Sequence, residues 1–204
     1  MSSDRGRYQL KARALRQQQT RDRIVAATEA LHEEIGPART TVAEIARRAR
    51  VERLTVYNNF PELKDLLRAC QGRFLAGHPP PDLAPTGRGE EQLDRLECAL
   101  AELYGWYRAN QAMERHVHHD RHLVPELDEL MRQEADRHFA AAAEAYGEAL
   151  ADDPAQREDM RRLVQVALEF RTWEVLTDAG AVDAEVARLF RQAVACIAGT
   201  VRPP

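Results

Sequence analysis

Thr40–Leu67, TTVAEIARRARVERLTVYNNFPELKDLL, decides the fold. Thr41-x-x-Glu44 is a capping box, in which hydroxyl and carboxylate each satisfy a free backbone donor at a helix start. Val42, Ile45, Ala46 and Ala49 follow at helical spacing and form an inward stripe. A tight turn at Arg50-Val51 leads to a second short helix over Glu52–Asn59, closed by Tyr-Asn-Asn-Phe. Two short helices joined by such a turn form a helix-turn-helix, whose second helix enters the DNA major groove.

Upstream, Ile24, Ala27, Leu31 and Ile35 give an inward stripe on a helix from about Thr20 to Ile35. Gly36-Pro37 stops it, a glycine suited to the residue past a helix end and a proline that cannot continue it. Downstream, Pro61 is expected at the first position of a helix running to about Ala76. Residues 1–19 hold Arg5, Arg7, Lys11, Arg13 and Arg16. They read either as a basic arm touching phosphates or the minor groove, or as a tail or extension of the first helix.

The rest of the 204 residues also reads as helix; β-branched residues are sparse and no alternating apolar run is sustained. His78–Asp82 and Pro85–Gly89 make a breaker-rich loop. Helices are expected over about 90–109, 125–150, 156–179 and 183–199, with a short helix or loop over 113–123. Asp153 caps one of them, with Pro154 first and Gln156 third; Asp183 is expected to cap the last. The fold class is therefore all-α: an N-terminal three-helix helix-turn-helix DNA-binding domain at 20–66, preceded by the basic arm 1–19, and a helical domain at 67–204.

Residues 1–64 carry +5, whereas the remainder carries −9. Only the front suits a polyanion, and the acidic body would be repelled by it. No stretch of about 18 apolar residues suggests a membrane span, and no apolar leader is evident. Cys70, Cys98 and Cys196 lie far apart without a CxxC, so they read as buried free thiols rather than a zinc or disulfide framework. A cytoplasmic setting without membrane partners is expected.

The run Thr-Thr-Val-Ala-Glu-Ile-Ala-x-x-Ala-x-Val-x-x-x-Thr-Val-Tyr-x-x-Phe resembles the N-terminal signature of TetR-family transcriptional regulators, over about Ile24–Leu67 without a gap. The resemblance implies a DNA-binding regulator, most simply a repressor released from operator DNA by a small effector. Activation, or regulation without an effector, is the alternative. Thr41 would meet a phosphate at the N-terminus of its helix, and Thr55, Tyr57 and Asn59 match phosphate-binding positions of the family. Asn59 stands where the family usually has His, and an amide can still donate. Base reading falls to Arg53, which can grip guanine with two hydrogen bonds. Leu54 either touches a thymine methyl or is incidentally exposed. Asn58 and Ala43 are further base-edge or phosphate contacts, while Arg47 and Arg48 are either phosphate contacts or solvated. Val51, Val56 and Phe60 read as packing residues. Two departures stand out. Arg50 occupies the family's turn glycine, and the usual lysine after the phenylalanine is displaced to Lys64, with Leu63 in its place.

In the family the last two long helices pair with a second subunit. That implies a homodimer joined through Leu163, Val166, Phe170, Val186, Leu189, Phe190, Ala193, Val194 and Ile197; the alternative is that these stripes serve the monomer core. A small, largely apolar effector would sit among Leu103, Tyr104, Trp106, Tyr107, Met113, His116, Val117, Leu127, Leu130, Met131, Phe139, Phe170 and Trp173, each of which could equally be ordinary core. His118 and His122, four apart, could share a metal ion, as in a metal sensor or metalloenzyme. A site needs three or four converging ligands, and Arg115 and Arg121 oppose a cation, so no metal, cofactor or enzymatic activity is expected. The histidines then read as a polar segment at the pocket mouth, sensitive to pH.

Overall fold

The computed structural model describes residues 2–87 and 90–199, with side chains from Lys11 onward. Among these the chain is helical without strands. Two compact units are formed: Met1–His78 with Arg115–Leu130, and Pro79–Glu114 with Met131–Pro204.

The first unit opens with α1 (Ser2–Ile35). The helix begins well before Thr20, because Ala, Leu, Arg and Gln in the lead segment all favour it. Arg5 and Arg7 lie outside the residues whose side chains are described; Lys11, Arg13 and Arg16 are exposed. Gly36 ends the helix at φ 86° and a 3-10 turn, Pro37–Arg39, follows. Next come α2 (Val42–Ala49), α3 (Arg53–Asn59) and α4 (Leu63–Gly77). The start of α4 is a correction: Glu62 is its N-cap and Pro61 lies before it. Ile24, Val25, Ala27, Leu31, Ile45, Ala46, Ala49, Val56, Phe60, Leu66 and Cys70 make one apolar core, with Val51 packed against it.

The chain of α6 (Gln111–Asp120) supplies its last residues to this unit. Asp120 is buried and accepts the Ala38 N–H at 2.9 Å, capping the 3-10 turn. A Cβ on Gly36 would collide with that carboxylate, so glycine is needed there for space as well as for φ. His116 reaches the Glu33 carbonyl through Nδ1 at 3.1 Å. His32 is buried, with Nδ1 3.7 Å from the Cys70 sulfur. Burial holds its pKa down at about 4, against a smaller opposing pull from Asp120. The Cys70 thiol is pushed up to about 12, mainly by burial, so it is an inert core thiol. Cys98 and Cys196 are exposed, contrary to the expected burial.

The second unit is built from α5 (Glu90–Ala109), α8 (Arg137–Leu150), α9 (Pro154–Leu168), α10 (Phe170–Asp178) and α11 (Asp183–Ile197). A π-helical turn, Arg132–Asp136, separates α7 (Pro125–Met131) from α8. Asp153 caps α9 through the Gln156 N–H, with Pro154 first. Close approach of α8 and α9 leaves no room for a Cβ at Gly147, 2.9 Å from the Arg157 carbonyl.

Two expectations are corrected here. Residues 156–179 are two helices, because Glu169 is extended at ψ 128°. Such a break orphans carbonyls of the last turn. The Tyr104 hydroxyl donates to the Ala167 carbonyl at 2.8 Å, and Tyr107 to that of Leu168 at 2.6 Å, both within the core. Asp183 is the first residue of α11 rather than its cap. Its carboxylate is held by Arg108, at 2.7 and 2.8 Å, and by the Trp173 indole N–H at 2.9 Å. The cap position falls to Val182, whose N–H is taken by Glu185 at 3.1 Å.

Candidate nucleic-acid interface

The interface begins with how α2 is started and stopped. Thr41, extended at ψ 152°, accepts the Glu44 N–H through its hydroxyl at 3.2 Å. Only this half of the expected capping box is made, because the Glu44 carboxylate turns to Arg47, with one contact at 3.0 Å. Arg48 is tied to Glu34 of α1 by two hydrogen bonds of 2.6 Å. Both α2 arginines therefore have acidic partners, and the Arg48 pair fixes α2 to α1.

The stop is a left-handed residue. Arg50 has φ 56° and ψ 52°. Its N–H bonds to the Arg47 carbonyl at 3.3 Å, and the Val51 N–H to that of Ala46 at 3.0 Å. This is the Schellman pattern, normally completed by glycine; an arginine there costs about 1 kcal/mol.

Burial sorts the side chains of α3. Val56 faces the core, while Arg53, Leu54, Tyr57 and Asn58 are exposed. Leu54 is 68 % and Tyr57 53 % exposed, which is unusual for large apolar bodies on a helix of seven residues. Arg53, at the first position of α3, has no ion-pair partner among the described residues. Thr55 and Ala43 are half-buried and Lys64 is exposed at the start of α4. Asn59 is half-buried and donates from Nδ2 to the Thr55 carbonyl at 2.8 Å. Its second amide hydrogen has no acceptor among the described residues.

Sequence reasoning missed Arg21. Its guanidinium lies 3.9 Å from the Phe60 ring centroid and donates to the Asn59 carbonyl at 2.7 Å. It clamps the end of α3 onto α1 by a cation–π contact and a charged hydrogen bond. The available signal was its spacing, one turn before buried Ile24. Asp120 was missed too, since nothing local ties it to Ala38.

The other expected sites are placed differently. Leu103, Tyr104, Tyr107, Phe170 and Trp173 are fully buried in the core of the second unit. Tyr107 packs against Phe170 at 5.3 Å and Trp173 at 5.7 Å between ring centroids. Trp106 and Phe139 are partly buried against this core, and Met113 and Met131 are buried. His116, Val117, Leu127 and Leu130 belong instead to the first unit. Of the expected dimer residues, Phe170, Val186, Phe190 and Val194 are corrected to protomer core, because their own chain buries them. Leu163, Ala193 and Ile197 are half-buried, and Val166 and Leu189 exposed. Among the described residues no group of three or more His, Cys, Asp or Glu is placed to hold a metal, and no helix is long and apolar enough to cross a membrane.

A family model described as "Bacterial regulatory proteins, tetR family" matches residues 24–70, from the second half of α1 into α4. No curated protein matches the chain.

Proposed function

We propose that this chain, whose residues 24–70 match the family model of bacterial regulatory proteins of the tetR family and so support a DNA-binding transcriptional regulator, is a homodimeric repressor released from its operator by a small, largely apolar effector. The observation that carries the reading is the outward face of α3. Arg53, Leu54, Tyr57 and Asn58 are all left to solvent by a helix whose other face is anchored through Val56 and Arg21. Arg53 would read a guanine and Tyr57 would hold a phosphate, with Thr41, Thr55, Asn59 and Lys64 as further backbone contacts.

Dimerisation is supported by apolar side chains that the protomer leaves uncovered. Val166 and Leu189 are about half exposed, and Val175 and Val182 more so. Two reading heads about 34 Å apart would meet successive major grooves on one DNA face.

The effector reading rests on the second unit. Its core contains the Tyr146 hydroxyl, fully buried and without a hydrogen-bond partner among the described residues. Burial pushes its pKa up to about 12, so it stays a neutral donor. A ligand acceptor would satisfy it, since an orphaned buried hydroxyl is costly. The effector acts only by binding one state of the regulator more tightly than the other.

Binding-site selection with purified protein, followed by a ligand screen for release, tests the proposal. The expected site is a palindrome with half-sites one helical turn apart, bound by a species of dimer mass in sedimentation. A single half-site bound by a monomer contradicts it. A promoter fusion should rise when the protein is removed; a fall identifies an activator instead.

A further inference from the structure

Arg50 is the one residue other than glycine with a positive φ among those described. Glycine would make the same Schellman turn without strain. The hydrogen bonds of the turn come from the backbone of Arg50 and Val51, so they do not need the arginine side chain. That side chain is exposed and has no hydrogen bond or ion pair among the described residues. Its neighbours differ: Arg47 and Arg48 are taken up by Glu44 and Glu34. A strained backbone carrying a side chain that the fold does not use points to a use outside the fold.

The position says which use. Arg50 sits on the turn that delivers α3, three residues before Arg53. Between them lies Glu52, exposed, whose charge opposes a nearby polyanion. Arg50 and Arg53, neither with an ion-pair partner among the described residues, flank it and turn the net charge of this segment positive. We propose that Arg50 contacts a DNA backbone phosphate at the α2–α3 turn and thereby fixes how α3 enters the groove. The inference rests on the DNA-binding reading and adds a contact that the family's usual glycine cannot make. Lying outside α3, the contact is independent of base sequence.

The full-length Arg50→Gly and Arg50→Lys variants test this, with Arg53→Ala as control. Thermal midpoints are measured without DNA. Affinity is measured for a labelled random-sequence duplex of about 30 base pairs, three helical turns, at several salt concentrations. Arg50→Gly should melt at a higher temperature than the parent and yet bind about tenfold more weakly at low salt, with a log K against log salt slope shallower by about 0.9. Arg50→Lys should recover most of that slope. An Arg50→Gly protein with unchanged affinity and slope overturns the proposal, and so does one that melts lower than the parent. If the parent itself binds no duplex, the underlying reading fails as well, which separates the two failures.

Discussion

Tyr57 in the first unit and Tyr107 in the second are the same residue type with opposite fates. Tyr57 stands half exposed on a short helix. Tyr107 is sealed in the core, and its hydroxyl closes the carbonyl of Leu168 where α9 breaks from α10. Burial, reinforced by nearby carboxylates, raises its pKa well above the ordinary phenol value, so it is locked as a neutral donor. The first tyrosine is left at the surface, and the second completes the core that holds it. The contrast extends to arginine: Arg53 has no ion-pair partner among the described residues, whereas Arg108 is held in two hydrogen bonds by Asp183.

The contrast breaks most severely at Trp173. Trp173→Ala removes the largest fully buried side chain of the second unit and the donor to Asp183. A loss of about 3–5 kcal/mol is expected, read by chemical denaturation. Loss under 1 kcal/mol would mean that the core repacks and that the cluster does not hold this unit together.

The next effect belongs to the first unit. His32 has its pKa depressed to about 4 from 6.5. Below pH 6.5 the unfolded chain takes up a proton that the folded chain refuses. Stability from this residue is therefore full above pH 6.5 and is lost as pH falls toward 4, by on the order of 3 kcal/mol. Denaturation at pH 7 and pH 4.5 should show the fall, and His32→Asn should remove that part of it. An identical pH dependence in the variant would exclude His32 as the cause.

A smaller loss separates the two tyrosines directly. Tyr107→Phe strands the Leu168 carbonyl and should cost about 1–3 kcal/mol of stability. Tyr57→Phe should leave stability within about 0.5 kcal/mol, as for other exposed positions. Equal effects on stability would erase the distinction between the regions.

The same contrast explains what could be read from the chain in advance. Thr41, Val56 and Phe60 were legible because helix starts, inward stripes and turns are local, and the three lie within twenty residues of one another. The break at Glu169 was not legible, since the hydroxyls that stabilise it come from 61 and 63 residues away. Arg48 reads from the sequence as a phosphate contact or a solvated side chain, whereas Glu34, 14 residues away on α1, holds it. Asp120 acts on Ala38 across 82 residues. Apolar periodicity put Phe170, Val186 and Val194 on stripes that their own chain buries. It could not say whether inward meant toward a partner or toward the chain's own core, because either burial produces the same stripe.

The most direct test compares Arg53→Ala with Tyr57→Phe on a selected operator and on every single-base variant of one half-site. Arg53→Ala is expected to relax preference at one base position by about 1–3 kcal/mol and to leave the others unchanged, while Tyr57→Phe weakens all sequences alike. A uniform loss for Arg53→Ala, with every base preference intact, would contradict the assignment of α3 as the helix that reads sequence.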